Sequence, residues 1–161
     1  MKSYPLGIQT FSEIIERNLL YIDKTEEIYK LLNGKYYFYA RPRRFGKSLM
    51  LSTIKSIYEG KKELFEGLWI ADKWDWSIKR PVIHIGFSGI GHRELGLEKA
   101  IDKELDVIAK KYTVSLKEVG YVRKFKELIQ TVAQKEKNVI LLIDEYDKPI
   151  IDYLGKEVEK A

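Results

Sequence analysis

Three short apolar runs alternate with stretches of helical periodicity, and this alternation constrains the fold more than any other feature of the sequence. The runs lie at 36–40, 81–87 and 139–143, and their lengths suit buried strands. Apolar residues recur at intervals of three or four in three further stretches: 50–58, 97–112 and 121–133. Because strands that alternate with helices pair in parallel through right-handed crossovers, the sequence predicts an α/β fold with three layers and a mostly parallel sheet.

The composition narrows the chemistry that such a fold could support. The 161 residues include no cysteine and two histidines, His84 and His92. The absence of cysteine excludes disulfides, iron–sulfur clusters and thiol catalysis, and two histidines cannot build a zinc site alone. No stretch approaches the roughly 18 apolar residues of a membrane helix, and the polar start contains no apolar signal core. We therefore expect one cytoplasmic domain spanning residues 1–161, without membrane contact.

Gly46, Lys47 and Ser48 form a candidate phosphate loop. They stand between the first predicted strand, at 36–40, and the helix that begins near Lys47. Phosphate binding requires backbone amides at a helix N-terminus, a lysine for the outer phosphates and a hydroxyl group for magnesium. In this interpretation Gly46 allows a close backbone approach, Lys47 contacts the β and γ phosphates, and Ser48 is a magnesium ligand.

The basic residues of the same segment leave a second interpretation open. A phosphate loop usually has a glycine five positions before Gly46, and Arg41 occupies that position here. Arg41, Arg43, Arg44 and Lys47 place four positive charges in seven residues of a chain with net charge +5, which would attract any polyanion. The alternative function is a non-catalytic module that binds nucleic acid or protein through this loop. The predicted burial of the neighbouring aromatic residues in a strand argues against base stacking there.

The third apolar run ends in a pair of carboxylates, Asp144 and Glu145. In a parallel sheet the carboxyl ends of the strands form the ligand-binding edge. An acidic residue at that position can bind magnesium, and its neighbour can orient the attacking water. We therefore expect Asp144 to be a metal ligand and Glu145 to be the general base, although a strand can also end in such residues simply because they favour a turn.

Four segments of the sequence also resemble one protein family. They are Tyr-Pro-Leu-Gly-Ile at 4–8 with Phe11, Tyr-Ile-Asp-Lys-Thr at 21–25, Arg-Pro-Arg-Arg-Phe-Gly-Lys-Ser-Leu at 41–49, and Leu-Leu-Ile-Asp-Glu-Tyr-Asp at 141–147. Together they resemble the AAA-ATPase-like proteins of bacteria and archaea, which are often fused to a C-terminal nuclease-like domain of the PD-(D/E)XK type. In that family an arginine in place of the first loop glycine is normal.

The resemblance implies a P-loop NTPase core that uses ATP and Mg²⁺. It implies Lys47 and Glu145 as catalytic residues, and Ser48 and Asp144 as metal ligands. It also implies a nucleotide-binding set made of consecutive loop residues: Arg43, Arg44, Phe45, Gly46, Lys47, Ser48 and Leu49.

The segment at 21–25 has two interpretations. It lies close to the loop in sequence, so that its Asp-Lys-Thr part could contact the nucleotide. Asp23 and Glu26 also have the spacing of a capping box, which would explain Asp23 without any ligand.

Family members continue into a strand with a polar sensor residue, an arginine that contacts a neighbouring subunit, and a helical lid. After Asp147 we predict only a short helix at 148–160. The expectation is therefore a core truncated before those elements, with weak ATP hydrolysis by itself. Its expected partners are copies of itself or a chain that completes the sheet, with nucleic acid contacted through an associated nuclease-like domain.

Overall fold

The computed structural model describes residues 2–42, 44–136 and 138–152. The chain forms two compact units, of which one ends at Arg80 and the other begins at Pro81. No helix in the three described ranges is long and apolar enough to cross a membrane. The assignment of residues 1–161 to a single domain stays a prediction.

The regular elements in the described part of the first unit are all helical. The α-helices are α1 (Phe11–Glu16), α2 (Thr25–Leu31) and α3 (Lys47–Tyr58), and turns of 3₁₀-helix follow at Lys62–Phe65 and Trp69–Asp72. Helix α1 packs against α3, and the buried ring of Phe11 lies 4.7 Å from the ring of Phe65. The helix after the loop thus forms where the sequence predicted it.

Tryptophans anchor the segment at 61–80 to other aromatic residues of the first unit. The Trp74 ring lies 5.5 Å from Tyr58, and the Trp76 ring lies 5.0 Å from Phe65. Trp76 also donates its indole N–H to the carbonyl oxygen of Ala71, at 2.8 Å. The tryptophans therefore serve as aromatic anchors of a connection that is otherwise irregular.

The predicted strand at 36–40 does not form. These residues belong to no strand, and the side chains of Tyr36, Tyr37 and Phe38 are 93%, 57% and 75% exposed. An aromatic run suits a pleated surface only when neighbouring strands cover it. The sheet of the described residues consists of two other strands, so the buried setting that the prediction assumed is absent from this part of the chain.

The second unit contains that sheet. Its elements in the described ranges are β1 (Val82–Gly86), α4 (His92–Leu95), α5 (Leu97–Lys111), α6 (Tyr121–Glu136) and β2 (Ile140–Asp144). The strands are parallel, and Gly86 pairs with Asp144 at their carboxyl ends. The α/β class and the parallel pairing are therefore confirmed, whereas the three-layer core stays a prediction. The predicted helix at 148–160 is helical at 148–152, and its remaining residues lie outside the described ranges.

One face of β1 packs on the two long helices. Ile83 and Ile85 are 0% and 4% exposed, and they belong to a buried apolar cluster with residues of α5 and α6. Between the helices, Lys124 binds Asp102 at 2.8 Å and Asp106 at 3.0 Å. Burial of each large aliphatic side chain contributes about 1.5–3 kcal/mol, so this cluster holds β1 firmly and, through the ladder, its partner β2.

Candidate functional site

The phosphate-loop candidate enters α3 through Gly46, whose φ of 74° lies in the left-handed region. Glycine adopts this conformation at little cost, and a Cβ at Gly46 would meet no atom within 4 Å, so the backbone rather than the space requires glycine. Arg44 is also left-handed, with φ of 66°, and Arg43 lies outside the described residues. No described side chain caps this helix end. Because the first amides of any helix lack intrahelical partners, an end without a side-chain cap suits an anion.

Lys47 folds back over the loop that precedes it. Its ammonium group donates hydrogen bonds to the carbonyl oxygens of Arg41 at 2.7 Å and of Pro42 at 3.2 Å. The guanidinium of Arg41 lies 5.0 Å from the centre of the Tyr39 ring, and Phe45 is 61% exposed. A phosphate oxygen would compete with two carbonyl oxygens for the Lys47 ammonium group.

Hydrogen bonds and burial fix the helix that follows. Ser48 and Leu49, in its first turn, are half-buried. The fully buried Thr53 donates its hydroxyl to the carbonyl oxygen of Leu49 at 2.9 Å, and the backbone amide of Phe11 donates to the Ser52 hydroxyl at 2.9 Å. The Ser48 hydroxyl is thus carried on a helix that is anchored one turn further along.

Asp23 and Thr25 have a structural role. Asp23 accepts hydrogen bonds from the backbone amides of Thr25 at 2.8 Å and of Trp69 at 2.7 Å, and the buried Thr25 hydroxyl accepts one from Ile70 at 3.2 Å. Partial burial raises the pKa of Asp23, but these amide and hydroxyl donors outweigh it and leave the pKa below its ordinary value. Asp23 thus binds the first amide of α2 from the position before the N-cap residue, Lys24, so it does not occupy the N-cap position that a capping box with Glu26 requires. Both its oxygens are engaged within the protein.

The acidic pair occupies a tight turn at the end of β2. The carbonyl oxygen of Asp144 accepts a hydrogen bond from the Phe87 amide at 3.0 Å, and that of Glu145 accepts one from the Lys148 amide at 2.9 Å. Glu145 is left-handed, with φ of 52°, a conformation that non-glycine residues rarely adopt. Its Oε2 atom is buried without a hydrogen-bond partner among the described residues. Because such atoms are rare in native proteins, this oxygen suggests a site for a donor that comes from a ligand or water.

Asp152 is the centre of an ionic cluster that sequence reasoning missed. Arg93 binds both of its oxygens, at 2.6 and 3.1 Å, and Lys148 binds it at 2.7 Å. His92 Nε2 lies 3.0 Å from Oδ2, and its own Nδ1 is buried without a partner in the described ranges. Hydrogen bonds from Arg93 and Lys148 hold the pKa of Asp152 well below its ordinary value. The local signal was the spacing of Lys148 and Asp152, four positions apart in a helix.

The described carboxylate side chains provide oxygen ligands of the kind that magnesium prefers. No group of three or more described histidine or acidic residues is close enough to hold a metal ion by itself. Magnesium usually binds through one or two carboxylates together with water and substrate phosphates, which is compatible with Asp144 as a protein ligand. The unpartnered Glu145 oxygen beside it adds a further acceptor in the same turn.

Comparison with known proteins connects the whole chain to one family. A family model described as a predicted AAA-ATPase, of the AAA-ATPase-like family, matches residues 5–161. An uncharacterized protein in the vnfD 5' region of Azotobacter chroococcum mcd 1 is 41% identical over 159 residues, which cover 96% of this chain and 31% of that protein. The chain thus spans less than a third of the length of this relative. No solved structure matches the present chain at a significant level.

Proposed function

The chain belongs to the predicted AAA-ATPase family, and on that premise we propose that it binds ATP with magnesium and hydrolyses it slowly. The observation that carries the proposal is the start of α3. There a left-handed Gly46 leads directly into Lys47 and Ser48 at a helix end that no described side chain caps. Backbone amides and the positive end of a helix dipole favour phosphate groups at such a place.

Lys47 binds the outer phosphates in this proposal. Its ammonium group would exchange the carbonyl oxygens of Arg41 and Pro42 for phosphate oxygens, which form stronger, charge-assisted hydrogen bonds. The amides of 44–49 surround the phosphates, and the exposed guanidinium of Arg44 adds positive charge. Arg43 and Phe45 belong to the same proposed nucleotide-binding set.

Ser48 and Asp144 are the proposed magnesium ligands, and Glu145 is the proposed general base. Magnesium, when bound, neutralises negative charge on the β and γ phosphates. Glu145 then orients a water molecule for attack on the γ phosphate and accepts its proton. The buried Oε2 of Glu145, which lacks a partner among the described residues, supports this role because it can accept a hydrogen bond from that water.

We expect slow turnover from residues 1–161 as a monomer. An arginine supplied by a neighbouring subunit can increase the rate of phosphoryl transfer by about 10³ to 10⁵. We therefore propose that full activity requires a homo-oligomer or a partner that completes the sheet.

A second function is favoured by the exposed aromatic segment. Burial of this segment was the argument against base stacking, and Tyr36 and Phe38 are instead 93% and 75% exposed. They precede Arg41 and Arg44, which are also exposed. Aromatic side chains beside basic residues are the usual elements of single-stranded nucleic acid sites. In this alternative the loop binds nucleic acid directly, rather than through an associated nuclease-like domain.

Binding of a fluorescent ATP analogue, with and without magnesium, tests the first function. Lys47→Ala should weaken binding by about 10- to 100-fold, because a hydrogen bond to a charged group contributes roughly 1.5–3 kcal/mol. Glu145→Gln should retain binding and lose hydrolysis. Lys73→Ala is the matched control, since it removes the same charge from an exposed position of the same unit.

Three results would decide between the functions. Saturable, magnesium-dependent binding that only Lys47→Ala weakens supports an ATPase site. Equal losses in Lys47→Ala and Lys73→Ala would contradict it, because binding would then follow net charge. Affinity for a single-stranded oligonucleotide that falls steeply with salt and ignores Mg-ATP would favour the second function, since counterion release depends on the number of neutralised phosphates.

A further inference from the structure

We propose that Asp152, bound by His92 and Arg93, is a positioning residue for the turn that carries Asp144 and Glu145. The inference rests on the proposed ATPase function, because it assigns these residues an effect on that reaction. The proposed effect is on the orientation of Asp144 and Glu145 alone, because Asp152 acts on them through the backbone that joins them to it.

The first step is the route from Asp152 to the carboxylates. The helical residues 148–152 begin directly after the turn, and the Lys148 amide donates to the Glu145 carbonyl oxygen at 2.9 Å. Any rotation of this short helix therefore changes the backbone of Glu145. On the other side, Asp144 is held by its pairing with Gly86 in the parallel ladder.

The second step is the anchor itself. Asp152 has a side chain that is only 7% exposed, and its two oxygens accept from Arg93, Lys148 and His92. The Arg93 interaction joins two guanidinium nitrogens to two carboxylate oxygens, which constrains orientation as well as distance. The carboxylate thus fixes the C-terminal side of the acidic turn in a defined orientation.

The third step is what the anchor is attached to. His92 and Arg93 begin α4, which follows β1 through a left-handed Gly91 with φ of 69°. Helix α4 packs against α5, and α5 is part of the apolar cluster on β1. The ionic cluster around Asp152 therefore ties the segment after β2 to the segment after β1. Both segments lie at the edge of the sheet where Asp144 and Glu145 lie.

General-base catalysis depends strongly on such orientation. A displacement of about 1 Å can cost on the order of 100-fold in rate, and loss of residues that orient metal ligands typically costs about 10- to 100-fold. Nucleotide affinity, in contrast, should depend mainly on the phosphate loop. Weakening the anchor should therefore lower the rate constant of hydrolysis more than it weakens binding.

Single-turnover hydrolysis and ATP-analogue affinity should be measured on the full chain and on Asp152→Asn, Arg93→Ala and their double variant. We expect each single variant to lower the rate by about 10- to 100-fold, with affinity within about threefold of the wild type, which is small on the scale of tenfold per 1.4 kcal/mol. The double variant should be no slower than Asp152→Asn, because residues that act through one contact are not additive. Lys124→Ala is the matched control, since it breaks another ionic cluster of the same unit.

The outcomes separate this inference from the function on which it rests. Wild-type hydrolysis that Asp152→Asn and Arg93→Ala leave unchanged would overturn the inference alone. So would a rate that falls equally in Lys124→Ala, because stability rather than orientation would then explain the loss. A wild type that neither binds nor hydrolyses ATP would overturn the proposed function and the inference with it.

Discussion

The phosphate loop and the acidic turn differ in how firmly the surrounding chain holds them. The loop follows a segment, 36–40, that lies in no strand and exposes three of its four aromatic side chains. The acidic turn follows a strand in register with β1 and precedes a short helix bound through Asp152. The loop nevertheless has the more specific motif, because its string at 41–48 resembles the family, whereas the acidic pair also fits an ordinary turn. Motif specificity and structural support are therefore separate properties.

The reason for the difference lies in where the backbone hydrogen bonds go. Residues of β2 bond to β1, and the buried apolar cluster supports β1 in turn. Segments with few buried contacts open locally at lower free energy than strands of a core. We therefore expect the carboxylates to be positioned before nucleotide binds, and the chain before the loop to gain order only with a ligand.

The largest expected effect that tests this comparison is the change in stability caused by a pair of alanine substitutions. Ile85→Ala, in the buried cluster, should lower the free energy of unfolding of the second unit by about 2–5 kcal/mol because it leaves a cavity. Phe38→Ala, at a side chain that is 75% exposed, should change stability by less than about 0.5 kcal/mol. Urea unfolding followed by circular dichroism measures both. A Phe38→Ala cost as large as that of Ile85→Ala would show that the segment at 36–40 is packed in solution.

A smaller effect is expected at the glycine that begins α3. Gly46→Ala should cost about 1–2 kcal/mol, because a Cβ is unfavourable in the left-handed region. Gly67→Ala is a matched control, since Gly67 has φ of 76° and equally open surroundings. Thermal unfolding should show similar losses for both, whereas only Gly46→Ala should weaken ATP-analogue binding. Similar binding by both variants would mean that the loop conformation does not matter for the nucleotide.

The smallest expected effect is the pH dependence of the Asp152 anchor. Its pKa is lowered in the folded state, so its contribution to stability is complete above the unfolded pKa of about 3.9. That contribution is lost as the pH falls from there through the folded pKa. The difference in melting temperature between the wild type and Asp152→Asn should therefore shrink as the pH is lowered from about 5. A difference that is constant with pH would contradict an ionic anchor.

The sequence predicted those parts of the fold that depend on local periodicity. Helices α5 and α6 follow from apolar residues that recur on one face, and β2 follows from a short apolar run that ends in acidic residues. The error at 36–40 has a physical reason, because an aromatic run alone does not specify whether other elements cover it. Composition can suggest a strand, but only its neighbours decide burial.

Contacts between distant residues explain what the sequence could not predict at the candidate site. Asp152 binds Arg93 and His92 across separations of 59 and 60 residues, and Asp23 binds Trp69 across 46. No local pattern signals such pairs. In contrast, Gly46 and Glu145 were selected from local chemistry, and the structure added their left-handed backbones. The proposed roles of Lys47, Ser48, Asp144 and Glu145 stay predictions that the binding measurements test.

The left-handed backbone of Glu145 also sets a conflict between durability and chemistry at this position. Glycine or asparagine would adopt that conformation more readily, so selection of variants for heat resistance alone would favour replacing the glutamate. Selection for stability alone would thus remove the proposed general base and yield a more stable protein. Such a trade-off between stability and activity is common at strained functional positions. A glutamate retained there under long selection would be evidence that the carboxylate is used.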